Sequence, residues 1–541
     1  MKKTLALLLA LVMLLSLAAC GGGNDNSTND TPNTSGNNNS TPSNDNSNSA
    51  PAAGSDLEPV TLKMWLHGTT AAQPEAVEKV LGELNAYLQE KINVTLDPIY
   101  GTWGDFDTGV KTALAGGDDV DIYFTCNWST NEYNKYARDG YWVKLDDLLP
   151  TYGTDLLSTI PDGIWECAKT NGYDGIGVYA VPGLKDTATQ NCWDLNATLL
   201  AELGYDVDEV IEFASYNPEF YYSDEFEEML QKAKDAKGND FYPLVGEPVV
   251  FERMVNNTSI VTGDLQSANV LSFYYDPANP GKDIGSTIVN KYASEQFKRF
   301  AERTYYLSQK GFISPQTQNV DTSNNYMESC RADANYLFCS QSYAFGCEIE
   351  YSTARKIDVR MIPAAAPYMD STSGQGAMMA ISAVSKNPER ALMFLNLLNT
   401  DPVVMTMMNY GTEGFTYNKN SDGTITFIDE NRATYSPWTN GVGNVRILPA
   451  TADQGTDFWD RFSAYYDTAE ALPSGAFIFD YSDMQNEATA IANVYAQYDF
   501  QQMAGATNPD DVLPEFLSKL SDAGIDKLVE SAQSQLAAFV G

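Results

Sequence analysis

The sequence predicts an α/β protein built as two lobes, and two observations lead there. Between Val60 and Phe124 the chain reads strand, helix, strand, helix, strand, an order that lays down a parallel sheet. Once a polar leader is set aside, about 485 residues remain, and with 43% hydrophobic and 12% aromatic residues over the whole chain they can fill two lobes of ordinary domain size.

The elements follow in order. Val60 to Leu66 alternates and is rich in β-formers, and a helical pattern follows in which Val77, Val80, Leu81, Leu84, Leu88 and Ile92 recur at three- and four-residue spacings. Pro74 suits that helix's first turn. Val94 to Ile99 reads as the second strand, Thr108 to Ala115 as a helix and Val120 to Phe124 as the third strand. In open sheets of this kind ligands sit beyond the carboxyl ends of the strands, so the residues just past those ends hold the functional information. They are Trp65 and His67 after the first strand, Trp103 after the second, and Asn127 and Trp128 after the third. An indole offers a flat apolar face that stacks on the C–H face of a sugar or on another ring, and an N–H to donate. The alternative at each tryptophan is a place in the core, and for His67 a structural role.

The N-terminus is an export address. Lys2 and Lys3 precede an apolar run from Leu5 to Leu17 that stops at Leu17-Ala18-Ala19-Cys20, and the run is too short to span a bilayer comfortably. The Leu-Ala-Ala-Cys ending resembles the lipobox of bacterial lipoproteins, in which the cysteine receives lipid and becomes the new N-terminus; the alternative is a plain signal peptide. Residues 1–20 are thus expected to be a signal peptide, with Cys20 lipidated. From 21 to 55 the chain is almost wholly Gly, Asn, Ser, Thr, Asp and Pro, which cannot bury enough apolar surface to offset the entropy of ordering it. Such a stalk has a root-mean-square span of roughly 30 Å. Gly21-Gly22-Gly23 is linker, since no strand precedes it and no helix follows.

Composition excludes several functions. The formal charge is −39, and removing Lys2 and Lys3 with the signal makes it −39 − 2 = −41, so nucleic acid is excluded as a partner for want of a basic footprint. Solubility, or an acidic surface selecting cationic ligands, explains such acidity. His67 is the single histidine, which rules out a histidine-rich zinc site and any Ser-His-Asp triad without it. Apart from Cys20 there remain Cys126, Cys167, Cys192, Cys330, Cys339 and Cys347, with no C-x-x-C pair. Export permits bridges among them, yet a domain of this size folds without any, and buried free thiols are the equal alternative.

With its aromatic residues after successive strands, the first lobe resembles an extracellular solute-binding protein of a bacterial ABC importer, in the broad group that includes carbohydrate binders. A second match is Gly376-Ala377-Met378-Met379-Ala380-Ile381-Ser382 followed by Ser385-Lys386-Asn387-Pro388-Glu389-Arg390-Ala391-Leu392-Met393-Phe394-Leu395-Asn396-Leu397-Leu398, which resembles that family's strand crossing back to the first lobe and the capped helix after it. Here Asn387 suits an N-cap and Pro388 the first turn, while Leu392, Leu395 and Leu398 share a stripe. Asn409-Tyr410-Gly411-Thr412-Glu413-Gly414 and the stretches Phe516 to Leu520 and Ala523 to Lys527 are similar to a long-chain, family 1-like subgroup of these binders with an uncharacterised C-terminal region.

The resemblance implies a periplasmic-binding-protein-like fold, with two lobes, a hinge and solute held in the cleft between them. The implied boundaries are 56–190 plus 375–413 for the first lobe and 191–374 plus 414–541 for the second. Trp193, near the first crossing, becomes a cleft candidate. Asn335 to Phe338 reads as a second-lobe strand, and Tyr343 follows where the family places a ligand-contacting aromatic, with Glu348 nearby. Trp438 is a late cleft wall or a loop anchor.

Three further motifs have simpler readings. Asn418 to Gly423 resembles the start of a calcium loop, but its first ligand is Asn and its twelfth position Asp429, and Asp422-Gly423 between two β-rich triplets reads as a hairpin turn. Asp118, Asp119 and Asp121 form a solvated loop without an acid/base partner. Gly175-Ile176-Gly177 is too short for a dinucleotide fingerprint.

The expected function is a lipid-anchored receptor on the extracellular face of the cell membrane. It captures a small-molecule solute, a carbohydrate or oligosaccharide, and delivers it as a monomer to ABC permease subunits without chemical change, cofactor or metal. The alternatives are a glycan-binding adhesin and a surface glycoside hydrolase, whose two carboxylates the sequence does not single out.

Overall fold

The computed structural model describes residues 57–68, 72–127, 133–256, 258–260, 271–274, 287–319, 322–435, 442–472 and 477–540. The signal segment, Cys20, the linker, Trp128 and Trp438 lie outside them. All described residues belong to one unit, Pro51–Gly541.

The chain starts as its pattern predicts. Strand β1 (Val60–His67) buries Leu62, Met64 and Leu66, and helix α1 (Pro74–Ile92) opens on its proline and ends at Asn93, whose left-handed backbone (φ 48°) lets its N–H return to Gln89. Strand β2 (Val94–Gly101) then pairs in parallel with β1 along its whole length, from Val60 opposite Val94 to His67 opposite Gly101. Helix α2 (Trp103–Gly116) begins five residues before the expected Thr108. Its start is set by Thr102, which takes the N-cap position and donates its hydroxyl to Asp105 at 2.9 Å, so Trp103 is the first helical residue and not a loop residue. Strand β3 (Ile122–Thr125) is the third parallel strand, and after β4 (Ala180–Pro182) the chain leaves this sheet.

Strand β5 (Asn191–Asn196) is the centre of a second sheet. It pairs antiparallel with β7 (Phe338–Ser342) and with β8 (Val359–Pro363), while β6 (Leu244–Val245) pairs in parallel with β7. The order is β8-β5-β7-β6. Strand β7 begins at Phe338, where the expected Asn335–Phe338 ends, because Tyr336 serves the interior: its hydroxyl donates to the buried Asp194 at 2.7 Å, and Arg355 holds the same carboxylate at 2.7 Å. Helix α3 (Cys347–Arg355) covers β8. Strand β9 (Met378–Ile381) then returns to the first sheet, which reads β2-β1-β3-β9-β4. Helix α4 (Pro388–Thr400) follows and buries Leu392, Leu395 and Leu398 completely, although Asn387 makes no side-chain cap bond.

Two apolar cores correspond to the two sheets. The first gathers buried residues from Leu62 to Leu184 and from Ala377 to Leu448; the second gathers those from Trp193 to Ala364 and from Phe477 to Leu536. This differs from the expected boundary, since Tyr435, Val442 and Leu448 pack on the first core. The return to the second lobe comes later, past helix α5 (Phe458–Tyr466), which forms its own small cluster with Ala188 and Phe345. The chain therefore crosses three times, and the crossings are stitched together: Thr189 and Tyr368 exchange backbone hydrogen bonds of 2.7 and 3.0 Å, while Tyr368 and Met369 pair with Glu470 and Ala471.

Tyr417–Lys419 and Ile425–Phe427 form the expected hairpin, with Asp422 accepting from the Thr424 N–H at 3.0 Å and Gly423 left-handed at φ 90°. All six described cysteines are buried free thiols. Among the described residues no single helix is long and apolar enough to cross a membrane.

Candidate functional site

The parallel run of β1, β2 and β3 brings His67, Gly101 and Asn127 to one edge of the first sheet. What they do there differs from the sequence reading. His67 is 3% exposed, stacked on Phe106 at 3.8 Å between ring centres and edge-on to Phe124 at 4.9 Å, and burial lowers its pKa from 6.5 to about 4. Trp65 is half-buried and meets Phe106 edge-on at 5.8 Å, in space that Gly109 leaves open: a Cβ there would come within 2.6 Å of the indole. Both residues pack against Phe106 and so hold α2 to the sheet. Asn127 is committed as well, its N–H to the Gln375 carbonyl at 3.0 Å and its amide to the Thr372 hydroxyl at 3.5 Å. Of Trp103 the backbone is placed but the side chain lies outside the description.

Asn127 leads into the hinge. Gln375 is fully buried and joins three first-lobe segments: its amide donates to the carbonyls of Cys167 at 3.0 Å and Lys169 at 3.2 Å, and its carbonyl accepts from Asn134 at 3.1 Å. The short helical turn before it is capped by Asp370, which accepts from the Thr372 N–H at 2.9 Å and from the Thr189 hydroxyl at 3.3 Å. The first two crossings are thus tied by side chains as well as by backbone.

Beside the hinge, on the second lobe, lies a cavity of about 560 Å³. Its walls include two of the residues proposed from the sequence, Tyr343 and Glu348, together with Gln190, Tyr216, Arg360 and Tyr465, which sequence reasoning did not single out. No residue of the first core lines it. Gln190 organises the wall: its carbonyl accepts from the Tyr343 N–H at 2.8 Å, its side-chain oxygen accepts from the Tyr465 hydroxyl, and its amide donates to Ala365 at 2.7 Å. The Tyr343 and Tyr465 rings meet at 5.4 Å and 73°, and burial pushes both phenols up, for Tyr343 with help from the Glu348 carboxylate. Tyr216 adopts φ 55°, a left-handed backbone that costs a bulky residue free energy, held by its N–H on the Pro363 carbonyl at 2.8 Å. Arg360 is occupied by Asp358, with Nε 3.0 and 3.2 Å from the two carboxylate oxygens.

Alternation along β5 explains why Trp193 is not a cleft residue. Cys192 faces the cavity, so its neighbour faces the opposite side of the sheet. There Trp193, 3% exposed, packs within 5.3 to 5.9 Å of the rings of Phe220, Phe226, Phe251 and Phe338. Tyr465 had a readable signal: α5 carries Phe458, Trp459, Phe462, Tyr465 and Tyr466 in nine residues, more aromatic surface than one buried helix face needs. Gln190, Tyr216 and Arg360 had none.

Chemically, the cavity offers aromatic faces and hydrogen-bond acceptors but no activated nucleophile. Burial pushes the Cys192 thiol well above its ordinary value, which keeps it protonated. Among the described residues no group of three or more His, Cys, Asp or Glu could hold a metal ion. The arrangement suits a ligand with flat C–H faces and several hydroxyl donors.

A family described as a domain of unknown function, DUF3502, matches residues 473–541. Over nearly its whole length the chain is similar to a carbohydrate ABC transporter substrate-binding protein of Streptococcus pneumoniae serotype 4, being 26% identical over 497 residues that cover 91% of this chain and 93% of the relative. Among solved structures it is similar to the N-glycan transport solute-binding protein NgtS of Streptococcus pneumoniae in complex with Man1GlcNAc, with a TM-score of 0.70 and 24% identity over 89% of this chain and 100% of that one. The same protein in complex with Man5GlcNAc gives a TM-score of 0.67 and 23% identity, covering 89% and 99%.

Proposed function

We propose that the chain is an extracellular solute-binding protein of an ABC transporter, which captures an oligosaccharide by closing its two lobes and presents it to a permease. The solute docks first on the second lobe, in the cavity walled by Tyr343, Tyr465 and Glu348, and the first lobe then closes over it. The observation behind this reading is that cavity's place beside three stitched crossings: ligand and hinge share Gln190, so occupancy and closure are mechanically joined. The protein acts as a monomer, and Cys20 receives the lipid that tethers it to the outer face of the membrane, with residues 21–55 as the stalk. No bond in the solute is made or broken.

Thermal unfolding against a panel of neutral oligosaccharides, Man5GlcNAc among them, tests this. A ligand at a hundred times its Kd adds about 2.7 kcal/mol to the folded state, which is read as a rise in Tm. Every glycan should be recovered intact by mass spectrometry. A panel without any shift would sink carbohydrate capture, and a cleaved product would put a hydrolase in its place. For the anchor, Cys20→Ser should move the protein from the membrane fraction to the medium, and continued membrane retention would refute lipidation at that residue.

A further inference from the structure

We propose that Glu348 makes this site selective for uncharged, hydroxyl-rich sugars and rejects their uronic-acid counterparts; the proposal rests on the cavity being the solute site. Three observations lead to it. First, Glu348 Oε2 is buried yet meets no hydrogen-bond donor among the described residues, while the residue itself lines the cavity. A buried acceptor left unmet is costly, so a ligand that supplies an O–H or N–H there gains more than one meeting an acceptor already in use. Second, the cation of the cavity wall, Arg360, is already held by Asp358 through two contacts of 3.0 and 3.2 Å, so neither of those charges is free to balance Glu348. The described wall therefore carries one uncompensated negative charge. Third, Glu348 sits in the first turn of α3, where the partial positive charge of the helix start stabilises a carboxylate.

The chemistry separates two classes of sugar. A neutral pyranose brings hydroxyls that donate to the Glu348 carboxylate in a charge-assisted bond, with its ring faces against Tyr343 and Tyr465. A uronate brings a second carboxylate beside Glu348, and two like charges at such close range repel.

Calorimetric titration of the full chain with β-1,4-mannotriose, its C6-oxidised analogue trimannuronate, and Man5GlcNAc tests this on wild type, Glu348→Gln and Tyr343→Ala, each first checked for an unchanged thermal midpoint. We expect wild type to prefer the neutral sugars by tenfold or more. Glu348→Gln should weaken them about tenfold and bring the neutral-to-uronate ratio close to one, because the amide keeps the shape and loses the charge. Tyr343→Ala should weaken neutral binding without changing that ratio. If Tyr343→Ala weakens binding while Glu348→Gln leaves the ratio where it was, the selectivity proposal is wrong and the solute site stands. If Tyr343→Ala leaves neutral binding untouched, the solute is held elsewhere and both fall. Equal wild-type affinity for mannotriose and trimannuronate refutes the proposal directly.

Discussion

The single histidine makes a stability experiment with a calculable outcome. His67 is 3% exposed between Phe106 and Phe124, and burial disfavours its charged form, lowering its pKa from 6.5 to about 4. The unfolded chain takes up a proton as the pH falls through 6.5, whereas the folded chain does not until about 4. Stability is therefore lost across that window as the solution is acidified. At about 1.4 kcal/mol per pH unit, the drop from 6.5 to about 4 makes the loss about 3 kcal/mol. Carboxylates such as Glu219 and Glu227, whose pKa values are lowered, titrate in the same direction at the acidic end, so the wild-type curve alone does not isolate the histidine. His67→Phe does: it keeps a flat ring against Phe106 and removes the proton site. Urea unfolding of both proteins at pH 7, 6, 5 and 4, followed by circular dichroism, should show wild type losing about 3 kcal/mol relative to the variant between pH 7 and 4, with no relative change above pH 7. Parallel pH profiles would refute the reasoning, because they would mean that the buried imidazole titrates as it does in the unfolded chain.

Three other substitutions probe the fold. Lys291 and Glu252 are 2% and 0% exposed and 3.1 Å apart; Lys291→Met leaves a buried carboxylate without its cation and should cost about 3–5 kcal/mol by denaturant midpoint, most of it recovered in Lys291→Met/Glu252→Leu. Trp193→Ala should cost about 3–5 kcal/mol in the same assay while glycan affinity stays within about twofold, since the indole fills core and not cavity. Gly374→Ala would place a Cβ 2.7 Å from the backbone of Ile164 and Ala168 and should lower thermal stability by about 1–3 kcal/mol, with an unchanged Tm counting against so tight a hinge.

The first lobe was largely legible because its signals are local. A strand that alternates and a helix with an apolar stripe declare themselves within twenty residues, and Pro74 and Pro388 mark helix starts that the structure keeps. What escaped depends on distant partners. The third crossing is held where Glu470 and Ala471 pair with Tyr368 and Met369, about a hundred residues earlier, so no window of sequence shows it. The same holds for β7, whose start was displaced because Tyr336 answers to Asp194 and Arg355 on other elements.

The site was harder to read for a reason that lies in the side chains themselves. A tryptophan that stacks on a sugar and one that fills a core need the same property, a flat apolar face, and only the neighbours tell them apart. For Trp193 those neighbours are Phe220, Phe226, Phe251 and Phe338, brought from three helical segments and a strand. The aromatic residues that do line the cavity are tyrosines, each with a hydroxyl that burial would waste unless something met it. Tyr465 shows the consequence: its ring faces Tyr343 while its hydroxyl is spent on Gln190, inside the first crossing. One side chain thus joins a wall of the cavity to the segment that must bend when the lobes close, and a ligand that displaces the Tyr465 ring also disturbs the hinge bond. The selectivity proposed at Glu348 rests on charge and the closure proposed at the hinge rests on contacts such as this one, so substitutions can separate the two.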